Sequence, residues 1–400
     1  MKPRGRICVV RQGYFPEDPR VRREVGALLD EGYEVDVLCL RGPGEARVGT
    51  WRSARIHRLP GKHVRRGPLR YVWEYASFFV LAFQKITRLH LRNRYDLVQV
   101  HTLPDALVFA ALVPKLSGAK VLLDMHELMP EFAAMKFRFP GSSLIVRATT
   151  VFERSGARFA DRVLAVSTAQ ASILEPRIRK RCFIVPNVPD ETLLGNVPTA
   201  MPHEPVPVVM THGTMTEFYG VQLFISALPL VVRDQPVKAL IVGDGEFLPE
   251  LKRQAVELGV DEHVDFTGRV APPELAAYIS RSSLGVITLQ QDGYGEIGVP
   301  NKLFDYAALG VPVVAPDLWG MRSYFGPDGL IYFRPGDSTD LAEKIVWALR
   351  DERLRADVAA RALAVYDDVR WEKTSRVYLD VVSELVGKSS RPSSNATRTR

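Results

Sequence analysis

Short apolar runs alternate along this chain with longer segments in which apolar residues recur at helical spacing. The first unit predicts a strand at 7–10, a helix over about 20–31 that ends at Gly32, and a strand at 33–40. A strand, a helix and a second strand in this order require a right-handed crossover, and therefore a parallel sheet.

The same alternation continues to the end of the chain and predicts an α/β fold. Two doubly wound parallel-sheet halves, both Rossmann-like, are expected to face each other across a cleft. The further strands are predicted at 97–101, 120–125, 162–166, 183–186, 208–210, 239–242, 263–267, 284–288, 311–315 and 330–333.

A proline-rich stretch at 188–207 lacks strand and helix patterns and separates the two halves. We predict a first domain at 1–190 and a second domain at 205–369. The last helix, at about 370–387, is expected to pack back on the first domain. The polar tail at 388–400 is expected to be disordered.

Composition indicates a soluble protein with anionic partners. The chain has 400 residues, 46% of them hydrophobic and 25% charged, with a formal net charge of +7. Three cysteines are too few and too scattered for a disulfide framework. No signal peptide precedes Ile7 and no apolar run approaches the roughly 20 residues that span a bilayer. We therefore expect a cytoplasmic location, at the inner face of the plasma membrane.

The membrane expectation rests on residues 41–96, which hold 13 Lys or Arg and three acids. Surplus aromatic residues beside Arg65, Arg66 and Arg70 fit a helix lying on an anionic leaflet. A core helix explains the main stripe, and nucleic acid is not favoured because no DNA- or RNA-binding motif accompanies the charge. That stripe consists of Val72, Tyr75, Phe79, Phe83, Ile86 and Leu89, and Trp73, Val80 and Leu81 lie off it.

Residues 296–317 predict a glycine-bearing loop that leads into a helix N-terminus and then a buried strand. Asn301 is predicted to cap this helix, and its free N–H groups would favour an anion beside Lys302. Asp305 lies one turn further on the same side, where it could bind sugar hydroxyls. An ordinary helix–strand unit with solvated charges explains the same pattern.

Residues at the carboxyl ends of strands are candidates for the ligand edge of the first sheet. His101 and His126 end neighbouring predicted strands, so they should face one crevice, with Asp124 beside them. Gly13 follows the first strand in the same way. Arg20, at the start of the first helix, fits either a bound anion or a solvated face.

Several reaction classes lack their motifs. The chain has no P-loop and no nucleophile elbow, and the glycine pattern after residue 242 fails the dinucleotide fingerprint at Leu248. No D-x-D triplet occurs, so we expect no metal, and phosphate charge must be offset by Lys, Arg and the helix start.

Four segments, in this order, resemble the retaining, nucleotide-sugar-dependent glycosyltransferases of the GT-B fold. They are DMHE (124–127), GDGE (243–246), FTGRVAPPEL (266–275) and VPNKLFDYAALGVPVVA (299–315). The resemblance covers roughly residues 5–385. It implies that the first domain (1–190) binds the acceptor and that the second (205–369) binds the nucleotide sugar. It also implies a metal-independent transfer that needs no cofactor besides the donor, a nucleoside diphosphate sugar.

The resemblance also implies roles for single residues. Gly268, Arg269 and Val270 would hold the nucleobase, Asp305 the ribose, and His126 the donor sugar near its anomeric carbon. We assign catalysis to His126 and Lys302, and acceptor or membrane contacts to His101, Asp124, Arg20, Arg65, Arg66 and Arg70. The remaining donor-binding candidates are Gly13, Gly213, Thr214, Gly243, Asp244, Glu296, Asn301 and Leu303.

The chain departs from the family pattern at the diphosphate. The usual pair of glutamates becomes Ile297 and Asp305, with Glu296 one position off. Thr214 and Tyr219 stand where an arginine and a lysine are usual, so we infer that Lys302 replaces them, with Arg269 or Arg322.

The resulting hypothesis is a glycosyltransferase that acts on a lipid-linked or cell-surface glycan and contacts an anionic membrane, but not nucleic acid. A non-hydrolysing nucleotide-sugar epimerase and a non-catalytic sugar-nucleotide-binding partner are the alternatives. The sequence does not identify the sugar, the base or the acceptor.

Overall fold

The described residues form two separate sheets, one of eight strands and one of six, in a computed structural model that covers residues 3–61, 68–191 and 206–387. The expected pair of doubly wound parallel-sheet halves is confirmed. All strand pairs are parallel except one edge hairpin, β3–β4. Arg65, Arg66, most of the proline-rich stretch and the polar tail lie outside the described residues.

The first sheet has the strand order β3-β4-β2-β1-β5-β6-β7-β8. Its strands are β1 (Arg6–Val10), β2 (Glu34–Leu40), β3 (Val48–Trp51), β4 (Ala54–Leu59), β5 (Leu97–His101), β6 (Lys120–Met125), β7 (Arg162–Ala165) and β8 (Cys182–Ile184). The second sheet has the order β11-β10-β9-β12-β13-β14. Its strands are β9 (Val208–His212), β10 (Lys238–Val242), β11 (Val264–Gly268), β12 (Leu284–Val286), β13 (Val313–Pro316) and β14 (Ile331–Phe333).

Helices connect the strands and cover the sheets. In the first half they are α1 (Pro19–Asp30), α2 (Pro68–Asn93), α3 (Leu112–Leu116), α4 (Met129–Phe137), α5 (Leu144–Phe159) and α6 (Thr168–Ile178). The later ones are α7 (Val221–Asp234), α8 (Leu248–Glu257), α9 (Pro272–Arg281), α10 (Asn301–Ala308), α11 (Trp319–Phe325), α12 (Ser338–Arg350), α13 (Glu352–Val369) and α14 (Trp371–Gly387). A 3₁₀ segment, Asp105–Ala111, precedes α3.

Both faces of the first sheet are buried, as a doubly wound sheet requires. Cys8, Val98 and Leu123 point to one side and pack with Phe78 of α2. The alternate residues of the same strands point to the other side, where Tyr378 of α14 joins them. The last helix therefore packs on the first sheet although it follows the second.

Local sequence accounts for several helix starts. Asp18 accepts hydrogen bonds from the N–H groups of Arg20 and Val21, and Ser167 accepts one from Gln170 N–H, so each caps its helix. Asn301 was predicted to cap α10, which is wrong: extended Pro300 occupies the cap position, and Asn301 is the first helical residue.

The buried face of α2 differs from the predicted stripe. Phe78, Ala82 and Ile86 are buried, whereas Val72, predicted for the core, is 65% exposed. Trp73 and Val80, which lie off the predicted stripe, are exposed. Among the described residues, no helix is long and apolar enough to cross a membrane.

Candidate active site

A cavity of about 880 Å³ lies between the two halves, at the carboxyl ends of their strands. This is the position in which open α/β sheets bind ligands. Lys302 and His126, which the sequence assigned to one site, both line this cavity from opposite halves. The other predicted residues on its wall are Arg20, Gly213, Thr214, Asn301 and Asp305.

Lys302 lies in the first turn of α10, beside the end of β9. Its Nζ is 5.6 Å from the centre of the Tyr219 ring. A Cβ added to Gly213, which has φ +124°, would lie 3.9 Å from this Nζ, so the glycine leaves room beside the ammonium. Burial lowers the pKa of Lys302 to about 8, and the charge of Asp305 only partly opposes this shift.

Asp305 lies one turn after Lys302 and keeps 20% of its side chain exposed. Burial raises its pKa to about 7 against the opposing charges of Arg23 and Lys302. His212 Nε2 lies 3.7 Å from Asp305 Oδ2, which is too long for a hydrogen bond. Burial and the charge of Lys302 lower the pKa of His212 to about 3, so this histidine is neutral near pH 7. A carboxyl group that titrates near neutrality thus faces the cavity beside a lysine.

His126 faces Lys302 from the other half. Its Nε2 lies 3.2 Å from Asp124 Oδ2 and 3.1 Å from His101 Nδ1. The backbone N–H of His126 donates to the Thr102 hydroxyl. Burial lowers the pKa of His126 to about 4, although Asp124 opposes the shift. A neutral imidazole is therefore held with Nε2 turned toward the protein.

Asp124 and His101, predicted as acceptor contacts, lie behind His126 rather than on the cavity wall. Both are fully buried. The pairing of β5 with β6 places His101 opposite Asp124, with 2.9 Å between His101 Nδ1 and Asp124 Oδ2. These two residues therefore orient His126 and do not themselves face a ligand.

The Arg20 guanidinium donates two hydrogen bonds of 2.7 Å to the Asp124 carboxylate. Its Nε also lies 3.2 Å from a carboxylate oxygen of Glu24. Burial alone would raise the pKa of Asp124, but Arg20 and His126 outweigh it and hold the pKa well below its usual value. Arg20 is 2% exposed, so the interpretation of this residue as part of a solvated face is wrong. Its charge is balanced by carboxylates inside the protein.

The donor atoms of His101, Asp124 and His126 lie within 4.8 Å of one another, the one such group among the described residues that could hold a metal ion. Arg20, however, donates to both oxygens of Asp124. A guanidinium in that position repels a cation at the same carboxylate. The group is thus better suited to fixing His126 than to binding a metal.

Glu127 was not singled out from the sequence, although it follows His126 directly. It lines the cavity and accepts a 2.8 Å hydrogen bond from the Tyr294 hydroxyl of the other half. Burial raises the pKa of Glu127 to about 7, opposed by this bond and by Arg11. The Tyr294 ring also lies 5.9 Å from that of Phe132. The position of Glu127 directly after a strand-end histidine was the signal in the sequence that could have indicated a site residue.

Several predicted donor residues lie off the cavity wall. Leu303 is fully buried in the core, and Glu296 is bonded to Gln291 Nε2 at 2.9 Å and Trp319 N–H at 3.3 Å. Gly243 N–H donates to Gly268 O at 2.9 Å, so these two glycines lie side by side at the sheet edge. The other predicted residues off the wall are Gly13, Asp244, Arg269, Val270 and Arg70.

Neither arginine suggested as a partner of Lys302 reaches the cavity. Arg322 donates two hydrogen bonds of 2.6 Å to the Asp317 carboxylate. Its guanidinium carbon lies 4.4 Å from the centre of the Tyr332 ring. Arg269 is exposed. Within the described part of the chain, Lys302 is the cation that the second half contributes to the wall.

Two family descriptions match the chain, one for each half. Residues 18–187 match "Glycosyl transferase 4-like domain", and residues 206–351 match "Glycosyl transferases group 1". The boundary between the two matches falls at the proline-rich stretch between the sheets.

Individual proteins are similar over different lengths. An uncharacterized glycosyltransferase of Methanocaldococcus jannaschii is 21% identical over 84% of this chain and 86% of its own length. The GDP-mannose-dependent alpha-(1-6)-phosphatidylinositol monomannoside mannosyltransferase of Mycolicibacterium smegmatis is 37% identical over 34% of this chain and 36% of its own. The structure of Anabaena HepE in complex with UDP and glucose is 17% identical, has a TM-score of 0.70 and covers 96% of this chain and 100% of its own.

Proposed function

Because the chain belongs to the glycosyltransferases of the GT-B fold and uses nucleotide-sugar donors, we propose that it transfers the sugar with retention of configuration to a lipid-linked or cell-surface glycan. In this proposal it uses neither a metal ion nor a cofactor besides the donor. The Mycolicibacterium relative, whose name specifies a phosphatidylinositol monomannoside acceptor, supports a lipid-linked acceptor.

The observation that carries the proposal is the shared cavity. Lys302 and the first N–H groups of α10 offer positive charge for a diphosphate. His126 lies on the opposite wall, where the sugar would extend from the diphosphate, and Asp305 is available to ribose hydroxyls. The diphosphate, the ribose and the transferred sugar of a donor therefore each have a chemically suitable partner in one space.

In the proposed reaction, the bond between the anomeric carbon and the diphosphate oxygen breaks. The acceptor oxygen forms its bond to that carbon on the same face, and its proton passes to the departing diphosphate. Lys302 stabilises the charge that develops on this leaving group. His126 is neutral near pH 7, and because its Nε2–H donates to Asp124, its Nδ1 can accept a hydrogen bond from a sugar hydroxyl.

A peripheral contact with an anionic membrane is also part of the proposal. Large apolar side chains are exposed on α2, α3 and α5, among them Trp73 (74%), Leu116 (80%) and Leu144 (81%). Exposed arginines accompany them, and within these three helices the acids Glu74 and Glu153 are buried. The exposed arginines are Arg70, Arg88, Arg92, Arg147, Arg154 and Arg158. Apolar area with positive charge fits the surface of an acidic leaflet.

Sugar turnover by variants of the two wall residues tests the enzymatic proposal. Lys302→Ala should lower turnover of the nucleotide sugar at least about 100-fold, the usual cost of losing a group that stabilises the transition state. His126→Ala should lower turnover comparably but leave nucleoside diphosphate binding intact. Lys252→Ala, on α8 away from the cavity, is the control. Unchanged turnover in Lys302→Ala and His126→Ala would reject both assignments, and full activity in a chelator is expected for the metal-free reaction.

A further inference from the structure

A second lysine lines the cavity, on the wall that the first half contributes. Lys136, in the last turn of α4, is half-buried, and its Nζ lies 4.9 Å from the centre of the Tyr71 ring and 5.3 Å from that of Phe132. Among the described residues, none forms an ion pair with it, whereas Arg11 on the same wall pairs with Asp18 at 3.0 Å. Lys136 thus keeps its charge available to a ligand.

An amide oxygen on the same wall is buried without a partner. Gln12 is 7% exposed, and its Nε2 donates to Glu74 O at 3.3 Å. Its Oε1 has no hydrogen-bond partner in the described part of the chain. Because buried polar atoms are normally paired, a hydrogen-bond donor on a ligand is the expected partner of this oxygen.

Aromatic rings complete this wall. Tyr71 and Tyr75 of α2 lie 5.9 Å apart, edge to face, and Tyr71, Tyr75 and Phe132 all line the cavity. Such rings pack against the apolar faces of sugar or polyol rings, while polar groups fix the hydroxyls. The next residues of α2, Val72 and Trp73, are exposed.

The cation on this wall that has no ion-pair partner among the described residues is a lysine, a compact point charge of the kind that binds phosphate groups. We propose that Lys136, Gln12 and the rings of Tyr71, Tyr75 and Phe132 form an acceptor subsite for a polyol or glycoside that carries a phosphate. This inference rests on the proposed function, since it assigns the acceptor of the same cavity.

The test uses the full chain saturated with the nucleoside diphosphate that most raises its melting temperature, so that the donor phosphate site is filled. Isothermal titration then compares myo-inositol 1-phosphate with myo-inositol. Wild type should bind the phosphate at least about tenfold more tightly, as expected for one charge-assisted hydrogen bond. Lys136→Met should abolish this preference, and Lys136→Arg should retain most of it.

Lys252→Met is the matched control, because the Lys252 ammonium also lies near a ring, 5.7 Å from the centre of Phe266, but outside the cavity. It should keep the full preference. Gln12→Leu should lower the affinity for both probes by the same factor. Equal binding of the two probes by wild type, or an undiminished preference in a folded Lys136→Met, would overturn the subsite. If no nucleoside diphosphate binds, the proposed function fails, and this result is distinct from failure of the subsite.

A second arm identifies the source of the phosphate. Dihexanoyl phosphatidylinositol, below its micelle concentration, replaces inositol phosphate as the probe. If this lipid binds more tightly than inositol phosphate, and the gain is lost in Trp73→Ser, the result supports a lipid headgroup. Equal affinity for the two probes supports a soluble phosphate ester. In both cases Lys136→Met should remove the contribution of the phosphate, and an unchanged affinity would contradict the subsite.

Discussion

At the scale of single residues, Lys302 and Asp305 form an unusual pair because both titrate close to neutrality. Burial lowers the pKa of the lysine to about 8 and raises that of the carboxyl to about 7. Deprotonation of Lys302 removes the positive charge as pH rises, and protonation of Asp305 removes the acceptor as pH falls. Only between about pH 7 and 8 are Lys302 mostly protonated and Asp305 mostly ionised at the same time.

Affinity for a nucleoside diphosphate should therefore be highest between about pH 7 and 8 and fall on both sides. In Lys302→Arg the alkaline decline should disappear, because arginine stays protonated. In Asp305→Asn the acidic decline should disappear. Isothermal titration from pH 6 to 9 measures both limbs, and a flat profile in wild type would contradict this assignment.

Asp105 lies in the core of the first half with both carboxyl oxygens unpaired among the described residues. Burial, reinforced by Glu153 and Glu131, raises the pKa of Asp105 well above its usual value. The folded state therefore keeps a proton that the unfolded chain releases near pH 4, so stability is lost as pH rises from about 4 toward the folded pKa.

Asp105→Asn should consequently raise the melting temperature at pH 8 and have little effect near pH 4. Each kcal/mol gained should appear as about 2–4 °C for a half of this size. Calorimetry at the two pH values measures this difference. A variant that melts lower than wild type at pH 8 would show that the carboxylate is ionised and paired in the folded state.

From the sequence, some contacts between these residues could be predicted and others could not. His101 ends β5 and His126 directly follows the adjacent strand β6, so parallel pairing brings both to one sheet edge, where His101 Nδ1 lies 3.1 Å from His126 Nε2. The fork from Arg20 to Asp124 joins residues 104 positions apart, and no local pattern indicates it. Asn301 was misassigned as a cap because Pro300 already has the extended conformation that a cap requires.

At the scale of elements, prediction succeeded where one pattern dominates. β6 was predicted at its observed bounds, since the apolar run 121–123 lies at its centre. The hairpin β3–β4 was missed because arginines alternate with the buried residues of β4. α4, which carries Lys136, was missed because no side chain caps its start.

The exposed faces of α2 and α5 yield a prediction at this scale. Trp73→Ser or Phe152→Ser should reduce co-flotation with vesicles that contain phosphatidylglycerol about tenfold, because a buried aromatic side chain contributes roughly 1.5–3 kcal/mol. Val256→Ser, 64% exposed before substitution and on α8 of the other half, is the control. Equal flotation of all three variants, or none by wild type, would exclude this membrane face.

At the scale of the whole molecule, the halves touch beside the proposed reaction centre. Tyr294 O–H donates to Glu127, Tyr324 O–H lies 3.4 Å from Val166 O, and Arg138 pairs with Glu217. The division into two sheets followed from the alternating pattern and the proline-rich stretch. These contacts could not be predicted, because they depend on how the two surfaces meet.

Tyr294→Phe removes the hydroxyl that joins the halves and leaves the ring beside Phe132. We expect the KM for the donor to rise about tenfold, since a hydrogen bond to a charged group contributes about 1.5–3 kcal/mol. The radius of gyration of the free protein should also increase in small-angle scattering. Tyr278→Phe, whose ring lies away from the cavity, should change neither quantity. Wild-type values in Tyr294→Phe would show that the contact does not hold the cleft closed.

The central claim is that a nucleoside diphosphate sugar binds between Lys302 and His126. A crystal structure of the chain with such a donor bound tests it most directly. The account predicts diphosphate oxygens within hydrogen-bond distance of Lys302 Nζ and the first N–H groups of α10, with the anomeric carbon turned toward His126. A diphosphate bound outside this cavity, or a sugar pointing away from His126, would contradict the account.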